Sequence, residues 1–500
     1  GTGRSRNADR AGRALAFHHE NEVAKPHYYG VTFDSGLKAE VAPTDHAAVL
    51  RFTFTGDGGN IVFDNVDANS GLTIDAASGT VSGWSDVRSG LSNGATRMFL
   101  YGKVDAPVTG SGMLPNGNRP STGYVTVGAK TVNLRVATSL LSVAQAQHNL
   151  ALEIASKDTV ESVRARAEAA WNAKKLRTVE VEGASRDQLV TLYSNLYRLF
   201  LYPNSAFENT GTNAAPVYRH AVQSSVSTPP STPTETGAEV KPGKVYVNNG
   251  FWDTYRTTWP AYSLLTPTMA GEMADGFVQQ YRDGGWISRW SSPGYANLMV
   301  GTSSDVAFAD AYLKGVKGFD LEEAYAAAVR NASVTPPNDN VGRKGMRTSI
   351  FKGYTPSDVT GEAFSWAMDG YINDFGIANM AAALAAAGVL MPRVTRRRPP
   401  TTGSGRWGTS TCSTRRWTSS RGRTRPGSGG GAPRSMTRRC GATTTPRRTG
   451  GTWRSTCRRT GRAWPTSTAG VTGWRPSWTR SSRTRRKGSR AARTAGSSTR

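Results

Sequence analysis

Residues 250–301 read GFWDTYRTTWPAYSLLTPTMAGEMADGFVQQYRDGGWISRWSSPGYANLMVG, and the rest of the chain is best understood from this stretch outward. Within one turn it crowds a carboxylate (Asp253), a guanidinium (Arg256) and the rings of Trp252, Tyr255 and Trp259. Trp286 and Trp290 follow after a helix-length gap. The C–H face of a pyranose stacks on indole while its hydroxyls seek charged hydrogen-bond partners, so the pattern suits a sugar site. A second reading stays open from spacing alone: Asp253 and Arg256 as an exposed helical ion pair, with the tryptophans as core.

Charge must be read by segment. The chain carries a formal net charge of +26, a balance that ordinarily points to nucleic acid or an anionic surface. Residues 391–500, however, hold 27 Arg, one Lys and no Asp or Glu, leaving 34 basic and 36 acidic side chains before them. The first 390 residues are therefore nearly neutral, and nucleic acid is not the expected partner.

The tail is unusual in kind as well as in charge. It lacks Leu, Ile, Phe, Tyr, Asn, Gln and His, yet holds six Trp and all three cysteines, Cys412, Cys440 and Cys457. A basic disordered arm or a low-complexity linker explains neither the tryptophans nor the restriction to residues whose codons carry G or C in the middle. Only Met391, Val394, Met436, Val471 and Lys487 break that rule. A G+C-rich gene read one base out of step produces this bias. Shifted by one base with synonymous choices free, Trp407–Gly422 decodes as G-Y-V-H-L-F-D-P-A-V-D-F-F-Q-G. Ser435–Pro465 decodes through the run Y-T-E-T-N-G-W. A slip near Met391–Arg396 is the expectation, and the cysteines then carry no redox information.

Before that point the organisation is clear. From Tyr28 to about Leu141 apolar and polar residues alternate: Ala48, Leu50, Phe52 and Phe54 against Val49, Arg51, Thr53 and Thr55, and Met98, Leu100 and Gly102 against Phe99, Tyr101 and Lys103. Turn-rich breaks separate the runs, which predicts an antiparallel β-sandwich over residues 1–141. Residues 142–184 read as a helical linker, with one helix over Ser142–Lys175. From Ser185 the helical period takes over, opened by a Ser185/Gln188 capping box and an apolar stripe of Leu189, Leu192, Tyr193, Leu196, Leu199 and Phe200. Helices are predicted over Thr268–Tyr281, Ser304–Lys314, Leu321–Ala332 and Phe364–Ala387, within a catalytic region spanning residues 185–390. Asp369 and Asp374, five apart, read as helix-surface or capping groups. His18 and His19, beside Glu20 and Glu22, read as a solvated loop, since no second ligand cluster at metal spacing follows. Asn331-Ala-Ser333 fits a glycosylation sequon. No signal peptide or transmembrane run is visible.

The Trp252-Asp-x-x-Arg256 motif, the Gly285-Trp286 turn and Met299-Val-Gly-Thr-Ser-Ser-Asp-Val-Ala-Phe-Ala-Asp310-Ala-Tyr-Leu-Lys314 resemble the catalytic core of glycoside hydrolase family 92, the calcium-dependent exo-acting α-mannosidases. Ala16–Glu22 and Gly361–Asp374 are similar to further family segments. Family members carry residues before the first of these, so truncation at the amino terminus is expected. The resemblance implies an α+β multidomain protein, the β-sandwich followed by an (α/α)6 barrel. It implies an inverting α-mannosidase, with α-1,2 linkages the expected target, acting on a mannose-containing glycan of the mannan or N-glycan type. Calcium is the implied cofactor, with ligands not identified, and the location a secreted or cell-surface bacterial one. The implied substrate-binding residues are Trp252, Asp253 and Arg256 by motif, with Trp286 and Trp290. The general acid lies in a motif like Y-x-E-x-N-x-W, which survives only in the shifted frame; its codon spans Pro446 and Arg447, and the base carboxylates are expected beyond residue 500. The third base of the Pro446 codon selects Glu or Gln, and Gln would suit a mannose-1-phosphate-6-mannose uncapping hydrolase of the same family. A carbohydrate-binding protein without catalysis and a basic nucleic-acid binder are the alternatives from other classes.

Overall fold

Along Ala47–Thr53 and Thr131–Ser139 successive side chains enter different cores, and this alternation builds the first half of the molecule. Leu50, Phe52, Val132 and Leu134 point to one core, Val49 and Ala137 to another. The computed structural model describes residues 6–389, apart from residues 66, 87–89, 91, 95–96, 115–116, 118–120 and 227. The readings made above for residues 391–500 lie outside the described residues.

An eight-stranded antiparallel sheet runs from edge to edge as Glu22–Lys25, Tyr28–Thr32, Lys38–Pro43, Ala47–Thr53, Thr131–Ser139, Met98–Val104, Thr80–Ser85 and Ser70–Asp75. A three-stranded sheet of Val108–Met113, Thr122–Val127 and Gly59–Asp64 contributes Val125, Val127 and Ile61 to the same core as Leu134 and Val81. Two sheets thus share one apolar layer, as the alternating pattern predicted.

The opposite face of the large sheet is covered by α1 (Val143–Glu153) and α2 (Val160–Lys174), whose Leu150, Val160 and Val163 pack on Tyr28, Val49 and Ala137. The single helix expected over Ser142–Lys175 is therefore broken. Asp158 causes the break: its carboxylate accepts the Ala155 amide at 2.8 Å and pairs with Arg166 at 2.7 Å. Thr159 and Ser162 then form a reciprocal capping box that restarts the chain as α2. Short polar side chains that bond nearby amides compete with helix continuation, and here they prevail.

Eight further helices follow: α3 (Arg186–Leu199), α4 (Phe251–Thr254), α5 (Thr258–Leu265), α6 (Pro267–Gly284), α7 (Ser304–Leu313), α8 (Leu321–Ser333), α9 (Met346–Lys352) and α10 (Ala363–Ala386). The Ser185/Gln188 capping box at α3 is present as read. Helix α6 starts on Pro267, where a missing amide is harmless, and stops at Gly285 in the left-handed region. Phe251, Trp259, Phe277 and Phe308 form the aromatic centre of the helical core, with ring centroids 4.9–6.2 Å apart. Helices α4, α5 and α9 were not foreseen, because four to eight residues are too few for a helical period to show in the sequence.

Polar bonds stitch α1 to the chain entering the helical half. Buried Glu208 accepts the Leu140 amide at 2.6 Å and the Asn149 amide group at 2.8 Å. His46 donates Nδ1–H to Glu153 at 2.8 Å and Nε2–H to the Phe207 carbonyl at 3.1 Å. With acceptors on both sides the imidazole is held protonated. Burial opposes the charge, but Glu153, helped by Glu208 and Asp45, leaves His46 above its ordinary value. The folded state then binds this proton more tightly than the unfolded chain. Its stabilisation is complete below the ordinary histidine value and is lost as pH rises through the raised one. His46→Gln should lower stability by about 1–3 kcal/mol at pH 6, with the gap to wild type closing toward pH 9. Urea unfolding at four pH values measures it, and a gap that stays constant with pH would contradict the assignment.

Candidate functional site

Gly250 is the hinge on which the aromatic motif turns. Its backbone bridges Trp290, and the Phe251 amide donates to the Arg289 carbonyl at 3.2 Å while the Ser291 amide donates to that of Asn249 at 3.1 Å. This ladder presses the Trp290 ring onto Gly250, where a Cβ would stand 1.8 Å from it. Only glycine leaves room. The chain then winds into α4, so half-buried Trp290 sits against the residue two before Trp252 although 38 positions separate the two tryptophans in sequence.

Arg256 lies over two rings, its Cζ 4.7 Å from the centroid of Trp252 and 4.5 Å from that of Tyr255. It also donates to the Trp252 carbonyl. Asp253 and Arg256 are both exposed, yet they form no ion pair among the described residues. The helical ion-pair alternative therefore does not form, because the guanidinium has turned onto the indole. Surrounding protein raises the Asp253 carboxyl above its usual range, against the pull of Arg256.

The Trp252 indole Nε1–H donates to Asp369 Oδ2 at 3.3 Å, across 117 positions. Asp369 is 8% exposed on α10, so its reading as a helix-surface group is corrected. Helix α10 is rich in Ala and Gly and packs closely against α7, which brings this turn inside. Burial raises the Asp369 carboxyl, while Trp252 and Arg256 work in the other direction. Asp374 lies 43% exposed and pairs with Arg343 at 2.6 Å. Sequence reasoning missed Asp369 because its partner is distant in the chain. The available signal was its place in the segment similar to the family's, opposite the Trp252 motif.

Two other rings leave the site. Trp259 is 1% exposed within the aromatic core. Trp286 is 3% exposed, packed with Tyr295 and Val341 beneath the guanidinium of Arg330 at 4.7 Å. Its expected role in holding substrate is corrected: buried to this extent, it offers no open face to a sugar. Trp286→Ala should cost about 3–5 kcal/mol of stability and leave sugar affinity of the folded fraction unchanged. Urea midpoints and titration calorimetry separate the two effects.

Asn331 of the sequon is 1% exposed and donates to Asp305 at 2.8 Å, so the folded chain offers it to no glycosyl carrier. His19 pairs with Glu22 at 2.9 Å in an exposed turn, as a loop reading implies. Among the described residues no three or more His, Cys, Asp or Glu gather where they could hold a metal ion. Nor is any helix among the described residues long and apolar enough to cross a membrane.

What the structure brings together is the Trp252 indole, the Arg256 guanidinium over it and the Asp369 carboxylate that accepts from it, with exposed Asp253 next to Trp252 in sequence and Trp290 seated on Gly250. Such a set donates to and accepts from vicinal hydroxyls beside an aromatic face. No proton-transfer pair is assigned within it.

Comparison with known proteins identifies the family. Residues 1–184 match the glycosyl hydrolase family 92 N-terminal domain, and residues 145–392 match the family 92 catalytic domain. A curated relative, an uncharacterized secreted glycosidase from Arthroderma benhamiae, is 24% identical over 387 residues, covering 69% of this chain and 44% of its own. The structure of a family GH92 inverting mannosidase from Bacteroides thetaiotaomicron superposes with a TM-score of 0.67 at 27% identity, covering 77% of this chain and 52% of that one. A family GH92 α-mannosidase from the same organism, in complex with mannoimidazole, gives 0.60 at 21% identity, with coverage of 75% and 49%, and shows the fold alone. The chain thus spans about half the length of the relatives it matches.

Proposed function

This chain belongs to glycosyl hydrolase family 92, and from that premise we propose that the complete protein is an exo-acting, inverting α-mannosidase. It removes terminal mannose, α-1,2-linked by expectation, from mannan or N-glycans. The observation that carries the proposal is the Trp252–Asp369 contact with Arg256 stacked on the same indole. One aromatic face with a charged fork at its rim supports recognition of a sugar ring.

Inversion requires a carboxylic acid at the leaving oxygen and a carboxylate activating water from the opposite face, about 6.5–9.5 Å apart. We assign neither role to Asp253 or Asp369. The acid is proposed at the codon spanning Pro446 and Arg447, outside the described residues. If that codon specifies Gln, the uncapping hydrolase becomes the preferred member of the family. Calcium remains part of the proposal, and no step is derived through it.

The helical half is proposed to be part of an (α/α)6 barrel. Phe351 on α9 is 88% exposed and Phe375 on α10 is 45% exposed, and apolar surface of this kind supports further helices packing there. Secretion or display at a bacterial cell surface completes the reading. The test is release of mannose from yeast mannan by protein made from the frame-restored, full-length gene. A product other than mannose, or none, refutes the proposal.

A further inference from the structure

We infer that Arg343 is a positioning residue for the proposed sugar site: it locks the loop before α7 to α10 and so sets Asp369 against Trp252. This rests on the reading of that contact as part of a sugar site. Arg343 is 7% exposed and reaches both elements. Toward the loop, its Nε donates to Thr302 Oγ1 at 3.2 Å and one terminal nitrogen lies 3.4 Å from Asp305. Toward α10, its other terminal nitrogen donates to Asp374 at 2.6 Å.

Asp369 lies on α10 just before these ties, five positions before Asp374. Asn373, one turn further along α10, donates to Thr302 Oγ1 at 3.4 Å. Gly301, at φ 75°, lies so close that a Cβ there would stand 2.9 Å from the Asp369 Cβ. The loop is therefore a template pressed against the Asp369 turn, and Arg343 is its fastening. Charge pairing at both ends of one guanidinium gives a fixed spacing that a longer or looser contact would not. With the fastening released, α10 is free to shift along the loop. The Trp252 indole then loses its acceptor.

The test uses the full 500-residue chain labelled with 5-fluorotryptophan, with the Trp252 resonance assigned by Trp252→Phe. In the parent chain this resonance should show a step on acidification as Asp369, held above the usual carboxylate range and facing Arg256 and Tyr255, takes its proton. In Arg343→Lys and Asp374→Asn the step should disappear or move down to the ordinary carboxylate range. Asp310→Asn, which removes an exposed pair with Lys314 on α7, should leave it unchanged. Asp374 is partly exposed, so its variant decides the matter should the lysine variant fail to fold. An unaltered Trp252 step in Asp374→Asn overturns the inference, whatever happens to the melting temperature. The readout needs no hydrolysis. An inactive restored enzyme with an altered step would refute the mannosidase reading and leave the positioning role standing.

Discussion

Protein made from the frame-restored, full-length gene is expected to release mannose, and the chain as written is expected not to. Residues 391–500 contain no Asp or Glu, so the tail as written supplies no carboxyl group for either half of an inverting reaction. The catalytic-domain match ends at residue 392, where the composition changes. In the shifted frame the tail regains acidic, aromatic and aliphatic residues together, including a candidate acid. Reducing-sugar release from mannan with calcium present measures the outcome. Within the restored enzyme, Trp252→Ala and Asp253→Ala should each lower kcat/KM by about 10²-fold if the proposed sugar-binding role holds, because misplacing the reacting ring costs about that much. Turnover by the unrestored chain at a comparable rate would refute the frame reading. So would a gene sequence across codons 385–450 with no other open frame.

The second large effect concerns folding. Arg343→Met should destabilise the protein by about 3–5 kcal/mol at neutral pH, because it leaves a buried carboxylate without its counter-ion. The Asp305 side chain is 1% exposed. Once Arg343 is gone, the donors left to it among the described residues are Thr302 Oγ1 at 2.7 Å and Asn331 Nδ2 at 2.8 Å. Burial already pushes Asp305 up to about 6, against the pull of Arg343, Thr302 and Asn331. A carboxyl raised in the folded state binds its proton more tightly there than in the unfolded chain. Stability is therefore greatest below the ordinary aspartate value and declines as pH rises through about 6. The cost of Arg343→Met should accordingly shrink toward pH 5, and Arg343→Met with Asp305→Asn should recover much of it. Urea unfolding at pH 5 and 7.5 tests both. Equal losses at the two pH values, or no recovery in the double variant, would show that Asp305 is not the uncompensated charge.

Local pattern carried much of the fold and part of the site. Two-residue alternation around Leu50 and Phe99, the Ser185/Gln188 cap and the apolar stripe of α3 are readable because each depends on neighbours a few positions away. The clustering of Trp252, Asp253 and Arg256 is equally local; by spacing it left a sugar site and an exposed ion pair both open, and the family resemblance favoured the sugar reading. The codon bias of residues 391–500 is a property of sequence that no fold reveals.

Tertiary packing decided the rest. The same tryptophan–charge pattern contains rings bound for the surface and rings bound for the core. Which is which depends on what lies opposite: Tyr295, Val341 and Arg330 bury Trp286, while Gly250 leaves room for Trp290. Asp369 was legible as a helical residue but not as a partner of Trp252, because 117 positions separate them and only the meeting of α4 with α10 joins them. The sequence by itself determined which elements form and where aromatic and charged groups are concentrated. The structure decided which of those groups meet, Trp252 with Asp369 and Arg256, since helix and strand periods set which way a side chain points and only long-range packing sets what it touches.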